Sequence, residues 1–300
     1  MMDYFYRIYG LRVQSQIPFP EAQPEQPGDA EVRIVFGRMP AFLREAAKKY
    51  GTWTDGFLAA WFCVRDGSGV YVEAGKRIVV ELAKEPQMTR LTSLLLSAGM
   101  ALICLQRGEL FFHGSVLEVQ GQAILLCGES GVGKSTVAME LLQRGAWFMA
   151  DDTVRVHPGE DGEEMLAEPS YPQQKLCRDM AQKCGVSLEK LRYIDEERDK
   201  YAWIRRDCYV KEPMRLGKIF LLRKSGADDI YIRSITGQEA LETLTAQLYL
   251  ADTYRQITGI PYPLMEQLIR VAGQAEIYEI RRPESGDTVN EIVTKILQFC

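Results

Sequence analysis

The sequence predicts an α/β fold, a phosphate-loop core preceded by a small β-rich domain, and three observations carry that expectation. An uninterrupted apolar run of strand length, Ala123 to Cys127, leads into Gly128-Glu129-Ser130-Gly131-Val132-Gly133-Lys134-Ser135, which satisfies G-x-x-x-x-G-K-[ST] in full. From Ser135 to Arg144 the apolar residues fall at 137, 138, 141 and 142, one face of a helix, and Gly145 follows as a C-cap. A second apolar strand, Trp147 to Ala150, ends in Asp151-Asp152. Strand, glycine-rich loop, helix and strand in that order is an α/β arrangement.

The elements before this core are β-rich. Tyr4 to Tyr9 and Glu31 to Phe36 carry aromatic and β-branched residues, and Pro18, Pro20, Pro24 and Pro27 predict an irregular loop between them. Ala59 to Arg65, Val70 to Glu73 and Arg77 to Leu82, separated by glycine-containing breakers, predict a small antiparallel meander. Pro86 marks a hinge into the apolar run Leu94 to Leu105. At 12 residues that run is shorter than the roughly 20 that cross a bilayer, so it predicts a core helix. The division expected is 1–88 for the N-terminal domain and 89–300 for the catalytic one.

Phe111 to His113 and Val116 to Val119 supply further strands, the latter joined to the run at Ala123 by a Gln120-Gly121 turn. Leu188 to Arg206 mixes charges of both signs with few apolar anchors, and no element is assigned there. Lys218 to Arg223 and Asp229 to Ile235 predict a hairpin, Gly237 to Tyr254 and Leu264 to Ala272 helices, Glu276 to Ile280 a strand, and Val289 to Phe299 a closing helix.

Composition excludes several classes. Charged residues at 26% and hydrophobic ones at 46% are ordinary globular usage, against wholesale disorder. A net charge of −5 offers no basic field for nucleic acid. Seven scattered cysteines, at 63, 104, 127, 177, 184, 208 and 300, form no zinc spacing and predict reduced thiols in a cytoplasm. The opening MMDYFYRIYG has no basic stretch followed by an apolar one, so secretion is not expected.

The loop dictates the chemistry. Its glycines let successive N–H groups turn toward a polyphosphate, and the helix that follows adds the positive end of its dipole. ATP is therefore expected across Gly128 to Thr136, with Gly128, Ser130, Gly131, Val132, Gly133, Lys134, Ser135 and Thr136 as binding residues. Lys134 bridges the β- and γ-phosphates, and the Ser135 hydroxyl is a ligand of Mg²⁺. Asp151 and Asp152, 17 and 18 residues after Lys134, point alternately from a strand end. One can serve Mg²⁺ while the other takes a hydroxyl proton, unless the pair merely opens an exposed turn. His113 either orients a phosphate or the base, or is a structural histidine. His157, beside Pro158, is read as a surface residue.

Phe112 to Val156, with the pair His113-Gly114, the loop GESGVGKS and the run RGAWFMADD, resembles the catalytic core of HPr kinase/phosphorylase and its relatives. The resemblance implies a P-loop kinase core of the HPr kinase/PEP carboxykinase-like type. It implies ATP and Mg²⁺ as cofactors, Asp152 as proton acceptor, and catalytic roles for His113, Lys134 and Asp151. Ser135 and Asp151 become the metal ligands. The segments YRIYGLRVQSQIPFPE, EPSYPQQKL and YEIRRPES are similar to a shorter branch found beside lasso-peptide and other modified-peptide gene clusters, whose members phosphorylate a precursor-peptide serine. The Glu-x-Arg-Gly-Leu-Gly string tied to the reverse phosphorylase reaction is absent. Glu168 is the candidate for a second metal ligand.

The function expected is thus a serine kinase acting on a peptide or small protein, in a chain that can form homo-oligomers as relatives do. The N-terminal domain would recognise or cover the acceptor. HPr itself or a small molecule such as free serine are alternative acceptors. A P-loop ATPase or switch protein without a phosphorylated acceptor is the alternative of another class. With Asn290 as the sole asparagine, a guanine-reading Asn-Lys-x-Asp is impossible.

Overall fold

Tyr9 and Gly10, with φ of 51° and 74°, fold a strand β1 (Tyr4–Ile8) back on β2 (Leu11–Ser15). Two successive positive φ values suit the twist of paired strands. The computed structural model describes residues 2–41, 43, 52–54, 59–183, 185–195, 199–226, 228–249, 251 and 259–300. It divides into two units, Met1–Phe111 with Leu250–Met265, and Phe112–Tyr249 with Glu266–Cys300. The helix after Pro86, expected in the catalytic domain, thereby falls in the first unit.

The other strands of the first unit's sheet are β3 (Gln23–Pro24), β4 (Val32–Phe36), β5 (Thr52–Thr54), β6 (Ala59–Cys63), β7 (Gly69–Glu73) and β8 (Arg77–Glu81). Their order is β3-β1-β2-β4-β8-β7-β6-β5. The meander expected at β6 to β8 is present, as part of this larger sheet, in which β2, β4 and β8 run parallel. Two elements correct the sequence reading. β2 lies inside the stretch assigned to a loop, because Leu11, Val13 and Ser15 alternate inward. β3 includes Pro24 at the sheet edge, where a missing N–H is tolerated.

Helix α1 (Met88–Gln106) begins before the apolar run that marked it, because Thr89, Arg90, Thr92 and Ser93 interrupt the hydrophobic pattern. At 19 residues it is the one described helix long and apolar enough to cross a membrane, which corrects the expectation of a shorter element; 72% of its apolar window is buried. It packs on β8: an added Cβ at Gly99 would meet Ile78 Cδ1 at 3.3 Å. No disulfide joins the described cysteines, and Cys184 lies outside the described residues.

The chain enters the second unit along β9 (Leu110–His113). There β10 (Ser115–Val119) and β11 (Gln122–Gly128) form the hairpin read from sequence, turning at Gln120 and Gly121 with positive φ. Helix α2 (Lys134–Gln143) and β12 (Trp147–Ala150) follow as expected, and Gly145 closes α2 with φ of 98°. Next come β13 (Thr153–Pro158), β14 (Met165–Ala167), β15 (Gln173–Cys177), helix α3 (Arg178–Lys183), β16 (Arg192–Asp195), β17 (Lys200–Ile204), β18 (Met214–Ser225) and β19 (Tyr231–Ile235). Helices α4 (Gly237–Gln247) and α5 (Tyr262–Gln274), strand β20 (Glu276–Pro283) and helix α6 (Val289–Phe299) complete it. Residues 250 and 252–258, in the stretch where the first of these helices was expected to end, lie outside the described residues.

The main sheet runs β12-β10-β11-β18-β14-β13-β9, with β20 added on β18 and β19 on β20. The hairpin expected from β18 and β19 does not form; β20 lies between them, parallel to β18 and antiparallel to β19. The buried side chains Ile277 and Ile280 suit an interior strand, whereas mere sequence adjacency had paired its neighbours. On one face Val137 and Leu141 of α2 and Ile292 and Ile296 of α6 share a core with Leu126, Phe220 and Leu222. The unassigned span from Leu188 yields β16 and β17, which pair in a separate sheet of order β15-β17-β16.

Candidate active site

The loop between β11 and α2 has the backbone its glycines allow. Gly128, Gly131 and Gly133 have φ of 133°, 78° and 108°. At Gly128 glycine is also required by space, since a Cβ would lie 2.3 Å from Leu222 O of the neighbouring strand. Gly133 stands in the left-handed region as the residue before α2, and Gly128 N donates to Gln247 Oε1 at 3.0 Å. Lys134 Nζ curls back onto the carbonyls of Gly128 (2.7 Å) and Glu129 (3.0 Å). Burial lowers its pKa, with Cys127, Asp152 and Asp151 opposing that effect. Cys127, behind the loop, is pushed up to about 12 by burial, so it stays a thiol.

Lys134, Ser135, Asp151, Asp152 and His113, each singled out in the sequence, line one cleft of about 260 Å³. Ser130, Gly131, Gly133 and Thr136 line it too. The structure therefore brings the acidic pair and the glycine-rich loop together.

The two aspartates have different surroundings. Asp151 is 5% exposed, and its two oxygens accept from Ser115 Oγ (2.7 Å) and from the backbone N–H of Lys175 (2.8 Å). Burial raises its pKa, against those hydrogen bonds. Asp152 has φ of 72°, a left-handed conformation tolerated best by short polar residues, and its carbonyl accepts from Gly114 N at 3.2 Å. Its Oδ2 takes a 2.7 Å hydrogen bond from Lys175 Nζ. Burial alone would raise the Asp152 pKa. Lys175, Lys200 and His113 outweigh it and hold the carboxyl well below the usual carboxylate range.

His113 Nδ1 lies 3.9 Å from Asp152 Oδ1, beyond hydrogen-bond reach, and its ring stands 6.4 Å from that of Tyr249. Burial lowers its pKa more than Asp152 raises it, so the ring is neutral at pH 7. Lys175 and Lys200 also line the cleft and were missed in the sequence. Lys175 lies within EPSYPQQKL, the segment from which Glu168 alone had been drawn.

Glu168 and His157 require correction. Glu168 does not line the cleft: its Oε1 accepts from His157 Nε2 at 2.8 Å and stands 3.7 Å from Arg155. It therefore belongs to an internal ion-pair cluster. His157 is no surface residue but a half-buried member of β13, bonded to that glutamate. A lone His-Pro step gave no hint that the strand would run through it.

Among the described residues no group of three or more His, Cys, Asp or Glu can hold a metal ion. Mg²⁺ shared with phosphate oxygens needs only one or two protein oxygens, and Ser135 with the acidic pair supplies them within one cleft. The residues lining the cleft therefore fit a nucleotide-borne Mg²⁺.

Residues 107–176 match the family model for the HPr Serine kinase C-terminal domain. Over 82 residues the chain is 40% identical to the HPr kinase/phosphorylase of Nitrosomonas europaea, covering 27% of this chain and 24% of that one. Over 55 residues it is 46% identical to that of Pelodictyon phaeoclathratiforme (18% and 16%). Over 124 residues it is 34% identical to that of Bordetella petrii (40% and 34%). The chain thus spans about a third or less of these relatives' length, and the segment 107–176 that matches the family model holds the loop, His113 and the acidic pair. The solved structure of the Hpr(Ser) kinase/phosphatase from Coxiella burnetii matches at 12% identity and a TM-score of 0.34, covering 63% of this chain and 95% of that one, too low a likeness to carry an argument.

Proposed function

We propose that this chain is an ATP- and Mg²⁺-dependent kinase, with a core of the HPr kinase/PEP carboxykinase-like type, that transfers the γ-phosphoryl group to a serine hydroxyl of a peptide or small protein. The observation that carries it is the placement of Asp152 and Lys134 in one cleft at the mouth of the glycine-rich loop. A carboxylate beside a phosphate cradle is positioned to take a proton from an attacking hydroxyl, and a loop with a helix start behind it holds the donor.

Gly128 to Thr136 hold the phosphates, with Lys134 moving from the Gly128 and Glu129 carbonyls to phosphate oxygens. Bound Mg²⁺ would supply charge neutralisation for the phosphates. Ser135 and Asp151, whose oxygens also accept from Ser115 and Lys175, would hold it. Asp152, ionised at neutral pH, accepts the hydroxyl proton, and neutral His113 holds a phosphate oxygen or the acceptor by hydrogen bond. Every residue lining the cleft belongs to the second unit. The N-terminal domain, 1–88, is assigned to recognising the acceptor. Similarity to the peptide-modifying branch favours a precursor peptide over HPr, and an ATP donor suits a cytoplasmic setting.

The test is transfer from γ-labelled ATP to a serine-containing precursor peptide, to HPr and to free serine, each tracked separately. Labelled peptide supports the proposal. Label only on free serine assigns a small-molecule kinase, and ATP turnover without a labelled acceptor assigns the switch class.

A further inference from the structure

Lys175 makes two bonds that no other residue of the cleft makes together. Its backbone N–H donates to Asp151 Oδ2 at 2.8 Å, and its Nζ donates to Asp152 Oδ2 at 2.7 Å. One residue of β15 therefore holds both members of the acidic pair. The register adds a second cation: Cys177 of β15 lies directly opposite Lys200 of β17. Opposed residues share a sheet face and residues two apart on a strand do likewise, so Lys175, Cys177 and Lys200 face the same way. All three line the cleft together with Lys134.

This arrangement carries a surplus of positive charge. Three ammonium groups face two carboxylates, and Asp151 is already satisfied by Ser115 and a backbone N–H. The ammonium on Asp152 Oδ2 also takes up one of the lone pairs that an acceptor hydroxyl could use. A terminal phosphoryl group, with anionic oxygens at the mouth of the loop, resolves both features. It competes for the Lys175 ammonium and frees Oδ2.

Building on the kinase reading above, we infer that Lys175 is a phosphoryl-sensing positioning residue: its ammonium pairs with Asp152 and transfers to the γ-phosphoryl oxygens of a bound nucleoside triphosphate, which leaves both Asp152 oxygens to the acceptor. Lys200 is the second cation of the same subsite. The exchange breaks one ion pair and forms another, with no covalent change. It ties the freeing of the base to the presence of the group to be transferred, and a diphosphate, lacking that group, leaves the Lys175–Asp152 pair in place.

The experiment is calorimetric titration of the full chain with Mg-ADP and with Mg-β,γ-imido-ATP, for the wild type, Lys175→Met, Lys175→Gln and Lys175→Arg, with thermal melting of each. Lys175→Gln still donates a hydrogen bond to Asp152, so it carries the test if Lys175→Met fails to fold. The inference predicts that loss of the charge lowers affinity for the triphosphate analogue by about 10-fold or more, the scale of a lost hydrogen bond to a charged group, and leaves ADP affinity within about 2-fold. Lys175→Arg retains the triphosphate preference. A merely structural lysine would weaken both nucleotides alike. Equal loss for both, or loss for neither, overturns the inference while the kinase reading stands. A wild type that binds neither nucleotide overturns both.

Discussion

Ser115 Oγ donates to Asp151 Oδ1 at 2.7 Å, joining the start of β10 to the turn that follows β12. Val116 pairs with Ala150 in the same ladder, so the bond continues the strand pairing into the acidic doublet. Asp151 thereby acts as a post that sets where Asp152 begins.

Ser115→Ala leaves a buried carboxylate oxygen without that donor. Loss of one partner of such a pair costs about 1–3 kcal/mol. Urea denaturation followed by circular dichroism is expected to show that loss of stability, with transfer activity reduced because the doublet is less well fixed. Unchanged stability would remove Asp151 from its structural role.

Asp152→Asn is expected to lower phosphoryl transfer by roughly 10²- to 10⁴-fold, the range for a lost general base. Nucleotide affinity should hold or rise, because Lys175 and Lys200 then face no ionised partner at that position. Steady-state transfer assays and equilibrium binding measure the two effects separately.

Lys134→Ala should weaken both ATP binding and transfer, since the ammonium now resting on Gly128 and Glu129 carbonyls is the group that meets phosphate. Wild-type binding and transfer in Lys134→Ala would contradict the cradle assignment.

Gly114→Ala probes the link between His113 and the loop without touching either. A Cβ there would lie 2.5 Å from Leu126 O and 2.7 Å from Leu125 Cδ1, both on β11. Since backbone must move to admit it, a destabilisation of about 1–3 kcal/mol is expected, with weaker ATP binding as β11 shifts the loop. Thermal denaturation and nucleotide titration check this.

The chain has only two histidines, so the His113 proton resonance can be followed by NMR. Burial lowers its pKa, and the titration midpoint should fall below the ordinary value of about 6.5. For a histidine with a lowered folded pKa, the unfolded chain binds the extra proton first. Stability from this group is therefore present above the unfolded value and is lost as pH falls through the lowered one. His113→Gln should flatten that part of the acid limb. A midpoint above 6.5 would contradict the desolvated placement.

The parts of the site legible in the sequence are those whose chemistry constrains neighbouring residues. Gly128, Gly131 and Gly133 are dictated by backbone conformation, and Lys134 and Ser135 open the helix that follows them. Asp151 and Asp152 were legible because an apolar strand ends at them. Lys175 and Lys200 were not, because a lysine in a polar strand looks like any solvated lysine until β15 and β17 pair and turn both toward the cleft. Glu168 and His157 drew opposite errors for one reason: the hydrogen bond between them forms only once the chain after β14 lies beside β13. The same limit applies to β20, whose place between β18 and β19 is set by the second unit's core and not by its neighbours in the chain.

A crystal structure of the full chain with Mg²⁺ and β,γ-imido-ATP tests the central claim most directly. The account predicts the triphosphate wrapped by Gly128 to Thr136, its terminal phosphorus between Lys134 and Lys175, and a free Asp152 oxygen facing the position of an incoming hydroxyl. A nucleotide seated elsewhere, or a terminal phosphate remote from Asp152, would contradict it.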